Sequence, residues 1–117
     1  MENSPLVLDI LKATLDNPYY RRVINTTKDM QLVLMKISPG EDIPMEIHKG
    51  TQFVRVESGS GIVIIDEKVY PLRDDISVMI PGGHPHYFRA SDTEALKLYS
   101  LYSPPEHPVN QIDINQP

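Results

Sequence analysis

Between Gln31 and Tyr102 the chain never sustains an apolar pattern for more than a few residues before a turn former interrupts it. The runs are Gln31–Ser38, Met45–His48, Gln52–Glu57, Ile62–Asp66, Ile76–Ile80, His86–Ala90 and Ala95–Tyr102. Between them stand Pro39-Gly40, Lys49-Gly50, Ser58-Gly59-Ser60-Gly61, Arg73-Asp74-Asp75 and Pro81-Gly82-Gly83. Short alternating runs with this punctuation predict an all-β sandwich or barrel. A parallel strand pair needs a crossover of a dozen or more residues, and these gaps are far shorter, so the sheets are expected to be mainly antiparallel.

The ends of the chain follow other rules. Ser4-Pro5 reads as an N-cap and first helical position, and Val7, Ile10, Leu11 and Leu15 recur at helical spacing, which predicts a short helix over about 5–15 covering one end of the barrel. Asn17-Pro18 ends it, because the residue before a proline is pushed out of helical geometry. Beyond the core barrel of about 31–103, Pro104, Pro105 and Pro108 lack the backbone donor a ladder requires, so 104–117 is expected to be an extended surface tail. With 117 residues in all, the expectation is one domain spanning 1–117.

Charge and composition narrow the partners. A net charge of -5 opposes binding along nucleic acid or an anionic membrane, which leaves a small molecule or another subunit. No apolar run is long enough to cross a bilayer and Met1–Asp16 lacks the features of a secretion signal, so a soluble, cytoplasmic protein is expected. With 0 cysteines, any metal has to be held by nitrogen and oxygen.

Four residues are candidates for that role. In a strand Glu46 and His48, two apart, point the same way. Gln52 opens the next run and shares a face with Val54 and Val56, the more apolar and therefore inward side, while Phe53, Arg55 and Glu57 face away. His86 begins a later run after the Pro81-Gly82-Gly83 turn. Together they offer two imidazoles, a carboxylate and an amide, donors suited to Mn, Fe, Co, Ni or Zn. Taken singly each has a plainer reading. Glu46 and His48 alternating with Met45 and Ile47 describe a strand with one wet face, glutamine more often hydrogen-bonds than ligates, and His84-Pro85-His86 reads equally well as a turn with solvated rings. His107, in the proline-rich tail, reads as a surface residue.

Their joint spacing resembles the cupin superfamily. The first cupin motif (Gly, five residues, His-x-His, three or four residues, Glu, six residues, Gly) falls on Gly40, Glu46-Ile47-His48, Gln52 and Gly59; the second (Gly, five residues, Pro-x-Gly, two residues, His, three residues, Asn) falls on Asp75, Pro81-Gly82-Gly83, His86 and Ala90. The departures are Glu46 for the first histidine, Gln52 for the glutamate, Asp75 for the second opening glycine and Ala90 for the asparagine. Glu-x-His with a later Gln-Phe, Tyr20-Arg21-Arg22-Val23 and the segment Leu98–Pro108 are similar to small single-domain cupins of the mannose-6-phosphate isomerase-like group.

The resemblance implies a double-stranded β-helix, a jelly-roll-like barrel, with one divalent metal on Glu46, His48, Gln52 and His86, and a homodimer. Leu32 and Leu34, alternating with Val33 and Met35, make that strand apolar on both faces, so its outer face needs a cover, either the N-terminal helix or a second subunit. The leading functional expectation is a metal-dependent enzyme on a small polar metabolite, a sugar or sugar derivative, of isomerase, epimerase or dioxygenase type; the catalytic base is not identified. Set against it are a non-catalytic small-molecule-binding cupin, acting as sensor or accessory subunit, and a purely structural dimer module. One fold hosts many chemistries, so the barrel alone does not choose among them.

Overall fold

The computed structural model describes residues 4–117. One helix, α1 (Ile10–Asp16), precedes ten strands: β1 (Arg21–Thr26), β2 (Gln31–Ile37), β3 (Asp42–Glu46), β4 (Thr51–Ser58), β5 (Ser60–Ile65), β6 (Lys68–Arg73), β7 (Ser77–Ile80), β8 (His86–Ala90), β9 (Leu96–Ser103) and β10 (Ile112–Asp113). They form a six-stranded sheet in the order β10-β1-β2-β9-β4-β7 and a four-stranded sheet in the order β3-β8-β5-β6. Every pairing is antiparallel, as the short gaps predict. Among the described residues no helix is long and apolar enough to cross a membrane.

The core lies between the two sheets. Val33, Met35 and Ile37 of β2, Val54 and Val56 of β4, and Leu96 and Leu98 of β9 meet Val63 of β5, Leu72 of β6 and Phe88 of β8. Alternation carries this as far as Val56: Gln52, Val54 and Val56 are buried while Phe53 and Arg55 are only partly covered; Glu57, expected to face away, is buried too, at the register shift between Val56 and Ser58, with Arg55 donating to its carboxylate. The architecture is the expected all-β, jelly-roll-like barrel with one short helix.

Several local expectations are corrected. The helix starts at Ile10 rather than Pro5, because the Asp9 carboxylate caps it by accepting the Lys12 amide at 3.0 Å. Val7 is 99% exposed and takes no part in the packed face, to which Ile10 and Leu15 contribute as half-buried residues. Asn17, with ψ 118°, does end the helix. Instead of closing one end of the barrel, α1 packs on the six-stranded sheet against β2, β4 and β9. Lys97 of β9 donates to the Leu15 carbonyl, and Leu34, on the outer face of β2, is buried in this chain alone.

Three strands lie where none was expected. β1 and β10 pair with each other, so the tail 104–117 is not simply an extended surface segment. β6 follows β5 through the Asp66-Glu67 turn, in which both residues have positive φ, the two-residue hairpin geometry normally signalled by Asn-Gly. Pro71 sits inside β6 without disrupting a ladder because β6 is an edge strand.

Candidate metal centre

Glu46 and His86 are brought together by sheet pairing: the last residue of β3 lies opposite the first of β8 in the antiparallel ladder. His48 is not in a strand, contrary to the alternation argument; β3 ends at Glu46, and His48 belongs to the loop that leads through Lys49-Gly50 into β4. That loop is held by the Pro81-Gly82-Gly83 turn. The Gly83 amide donates to the His48 carbonyl at 2.8 Å. Gly82 comes so close that a Cβ there would sit 2.1 Å from the Lys49 carbonyl oxygen. A side chain at Gly82 would therefore displace the loop that carries His48.

One ligand atom from each of Glu46, His48 and His86 lies within 4.8 Å of the others, close enough for a single ion. The rings of His48 and His86 are 4.9 Å apart, and His48 Nε2 is 3.8 Å from Glu46 Oε1. His48, His86 and Gln52 are buried, whereas the Glu46 side chain is 34% exposed and stands at the open side. Gln52 reaches inward from β4, and its amide nitrogen donates to Ser100 Oγ at 3.1 Å and to Tyr102 Oη at 3.2 Å. Those two bonds orient the amide and leave its oxygen uncommitted.

The donor atoms fit a metal. His48 Nε2, His86 Nε2 and Gln52 Oε1 are all buried without a hydrogen-bond partner among the described residues. An unmet buried polar atom costs about 1–3 kcal/mol, so three of ligand type in one site are poorly accounted for by packing alone. The protonation states agree. His86 Nδ1 lies 2.8 Å from the His84 carbonyl, which can only accept, so the proton is on Nδ1 and Nε2 carries the lone pair. Burial, with His48 beside it, lowers the His86 pKa from its ordinary value against the opposing effect of the His84 carbonyl and favours this neutral ring. Burial likewise raises the Tyr102 phenol, with Glu46 adding to the effect, so it stays protonated.

Residues missed by sequence reasoning surround the cluster. Glu106 Oε1 lies 3.3 Å from His48 Nδ1. His107 is not a solvated surface ring: it packs edge-on against Tyr102 with centroids 5.2 Å apart, and burial, then Arg21, push its pKa down to about 4. Gln31, 0% exposed, bonds the backbone of both tail residues. The available signal was a polar residue, Gln31, opening a mainly apolar strand, together with a Glu-His pair fixed between prolines. A cavity of about 480 Å³ opens between β5, β6 and β7, walled by Val63, Ile65, Leu72, Ile76 and Val78, with His84 at its edge. None of Glu46, His48, Gln52 and His86 lines it; the nearest link along the sheet is Ile65, the ladder partner of His86.

Known proteins agree with this architecture. The chain is 40% identical over 121 residues to protein L612 of Acanthamoeba polyphaga mimivirus, covering 99% of this chain and 76% of that one. It is 37% identical over 115 residues to YrkC of Bacillus subtilis (strain 168), covering 92% of this chain but only 62% of YrkC. The crystal structure of BH2720 from Bacillus halodurans superposes with a TM-score of 0.93 at 37% identity, over 96% of this chain and 90% of that one. The family model of the cupin domain matches residues 33–102, more than half of the chain and the whole of both motifs, from Gly40 to Ala90. The chain belongs to the cupin domain family.

Proposed function

We propose that this cupin holds one divalent transition metal, Mn, Fe, Co, Ni or Zn, on Glu46, His48, Gln52 and His86, and acts in the cytoplasm on a small polar metabolite such as a sugar derivative. The reaction is of isomerase, epimerase or dioxygenase type; the likeness to the mannose-6-phosphate isomerase-like group favours the first two. The observation that carries the proposal is the convergence of buried, unpartnered His48 Nε2, His86 Nε2 and Gln52 Oε1 beside the Glu46 carboxylate. When bound, such an ion supplies Lewis-acid polarisation of a substrate oxygen or, as iron, redox chemistry with oxygen.

The chain's own residues prepare the site. The His84 carbonyl fixes the His86 tautomer, and Ser100 and Tyr102 hold the Gln52 amide so that its oxygen faces inward. Glu46 stands where substrate would approach. The cavity between β5, β6 and β7 offers a mainly apolar wall to a small molecule, although no candidate ligand lines it.

A second reading is a non-catalytic binder, a sensor or accessory subunit, favoured by the neutral Gln52 amide where the cupin motif has a carboxylate: an amide oxygen is a weaker ligand, and the carboxylate kept in the set, Glu46, is partly exposed. A homodimer belongs to the same proposal. Because Leu34 is already buried within the single chain, the contact surface of a dimer is sought elsewhere, and sedimentation velocity decides the stoichiometry.

The deciding experiment is elemental analysis of the purified protein beside His48→Ala and His86→Ala. Near-stoichiometric metal in the parent and loss in both variants support the site. A parent that stays metal-free after loading with Mn, Fe, Ni or Zn overturns it. With iron bound, oxygen uptake against a metabolite panel separates oxygenase from isomerase chemistry.

A further inference from the structure

Both histidines of the metal cluster face the same requirement: a ring that gives Nε2 to an ion must carry its proton on Nδ1, and something must hold that proton. For His86 the holder is the His84 carbonyl. For His48 the group nearest to that task comes from far along the chain. Glu106 Oε1 is 3.3 Å from His48 Nδ1, while His48 Nε2 is the buried, unpartnered atom on the Glu46 side.

The position of Glu106 is built into the fold. Gln31, at the start of β2, accepts the Glu106 amide at 3.1 Å and the His107 amide at 2.9 Å on its Oε1. Its Nε2 donates to the His107 carbonyl at 2.7 Å and to Thr26 Oγ1 at 3.0 Å. The His107 ring then packs against Tyr102, whose own ring meets His48 with centroids 5.6 Å apart. A buried glutamine thus clamps the backbone at 106–107, and the carboxylate is delivered to one nitrogen of one ligand.

We propose that Glu106 is a positioning residue of the metal centre: it accepts the His48 Nδ1 proton and so fixes the tautomer and ring orientation that present Nε2 to the ion. The proposal rests on the metal-site reading above. The C-terminal segment then completes the site, although it lies beyond both cupin motifs. The plainer alternative is a partly exposed ion pair whose loss changes stability slightly and nothing else.

Two measurements on the full chain separate these. First, long-range nitrogen–proton correlation spectra of the metal-free protein report the His48 tautomer. The parent and Glu106→Gln, whose amide oxygen also accepts, hold the proton on Nδ1, whereas Glu106→Ala shifts His48 toward the Nε2–H form. Second, chelator-competition titrations with Zn(II) and Mn(II) give affinities. Glu106→Ala binds about 10–100-fold more weakly than the parent, the range seen when such outer partners are removed, and Glu106→Gln recovers part of the loss. A parent that binds metal, with Glu106→Ala unchanged in either tautomer or affinity, overturns the proposal. A parent that binds no metal while its tautomer responds to Glu106→Ala as described overturns the metal reading and keeps the contact.

Discussion

Replacing Gln31 with leucine tests how far the tail belongs to the fold. Leucine nearly preserves the volume of this fully buried side chain but removes its hydrogen bonds to Thr26 Oγ1, the Glu106 amide, and the His107 amide and carbonyl. A net intramolecular hydrogen bond is worth about 0.5–1.5 kcal/mol, and the three bonds to the tail are only partly buried, so water recovers some of the loss. Allowing for the apolar gain of leucine, Gln31→Leu should lose about 2–4 kcal/mol in urea unfolding, read as a lower midpoint with an unchanged slope. Amide exchange at Glu106 and His107 should accelerate more than in the strands, because the tail opens before the barrel. A loss below about 1 kcal/mol with exchange at those amides unchanged would refute the clamp.

Phe88 is 1% exposed at the centre of the core, so Phe88→Ala should cost about 3–5 kcal/mol in the same assay. Gly82→Ala and Gly83→Ala should separate in the metal titration: a Cβ at Gly82 strikes the Lys49 carbonyl and moves the His48 loop, whereas at Gly83, φ +87°, it meets open space and costs only backbone strain of about 1–2 kcal/mol. Equal metal affinities in these two variants would show that the turn does not position His48. His107 carries the pH prediction. Its folded pKa of about 4 lies below the ordinary 6.5, so the unfolded chain binds more protons between those values and stability falls as pH drops from 6.5 toward 4. His86, also lowered, adds in the same direction. In His107→Gln the metal-free protein should show a shallower fall across that window in urea melts at stepped pH, and an unchanged slope would contradict the burial.

The parts of the fold legible in the sequence were those written in local alternation. β2, β4, β8 and β9 emerged with boundaries off by a residue or so, because each places apolar side chains on one face at period two. β6 was hidden because its hairpin turn uses Asp66-Glu67 at positive φ without glycine and because Pro71 argues against a strand unless the strand is known to lie at an edge. β1 and β10 were hidden for another reason: they pair with each other across the length of the chain, joined by the Arg21–Asp113 ion pair, a contact no local pattern announces. At the site, Glu46, His48 and His86 were found through spacing, although His48 arrives by a loop held from the Pro81-Gly82-Gly83 turn and not by strand alternation. Glu106 could not be found that way, since its distance from His48 in sequence carries no periodic signal and only the Gln31 clamp explains its place.

The motif departures divide along the same line between backbone and side chain. Where the second cupin motif opens with glycine this chain has Asp75, and its φ of +71° keeps the left-handed conformation found at Gly40, Gly59 and Gly83. Aspartate tolerates that region better than most residues, and here its amide also bonds the Val56 carbonyl while its carboxylate meets Arg55. Positive φ is thus reached here without glycine, in a turn held by those two contacts. The ligand positions obey no such constraint. Exchanging histidine for Glu46 and glutamate for Gln52 keeps one carboxylate in the proposed ligand set but moves it from β4, where Gln52 is 4% exposed, to the open end of β3, where Glu46 is 34% exposed. The carboxylate of Glu46 stands instead on the exposed side of the cluster, so the one negative charge among these four residues is more open to solvent than it would be on the inner wall beside Gln52.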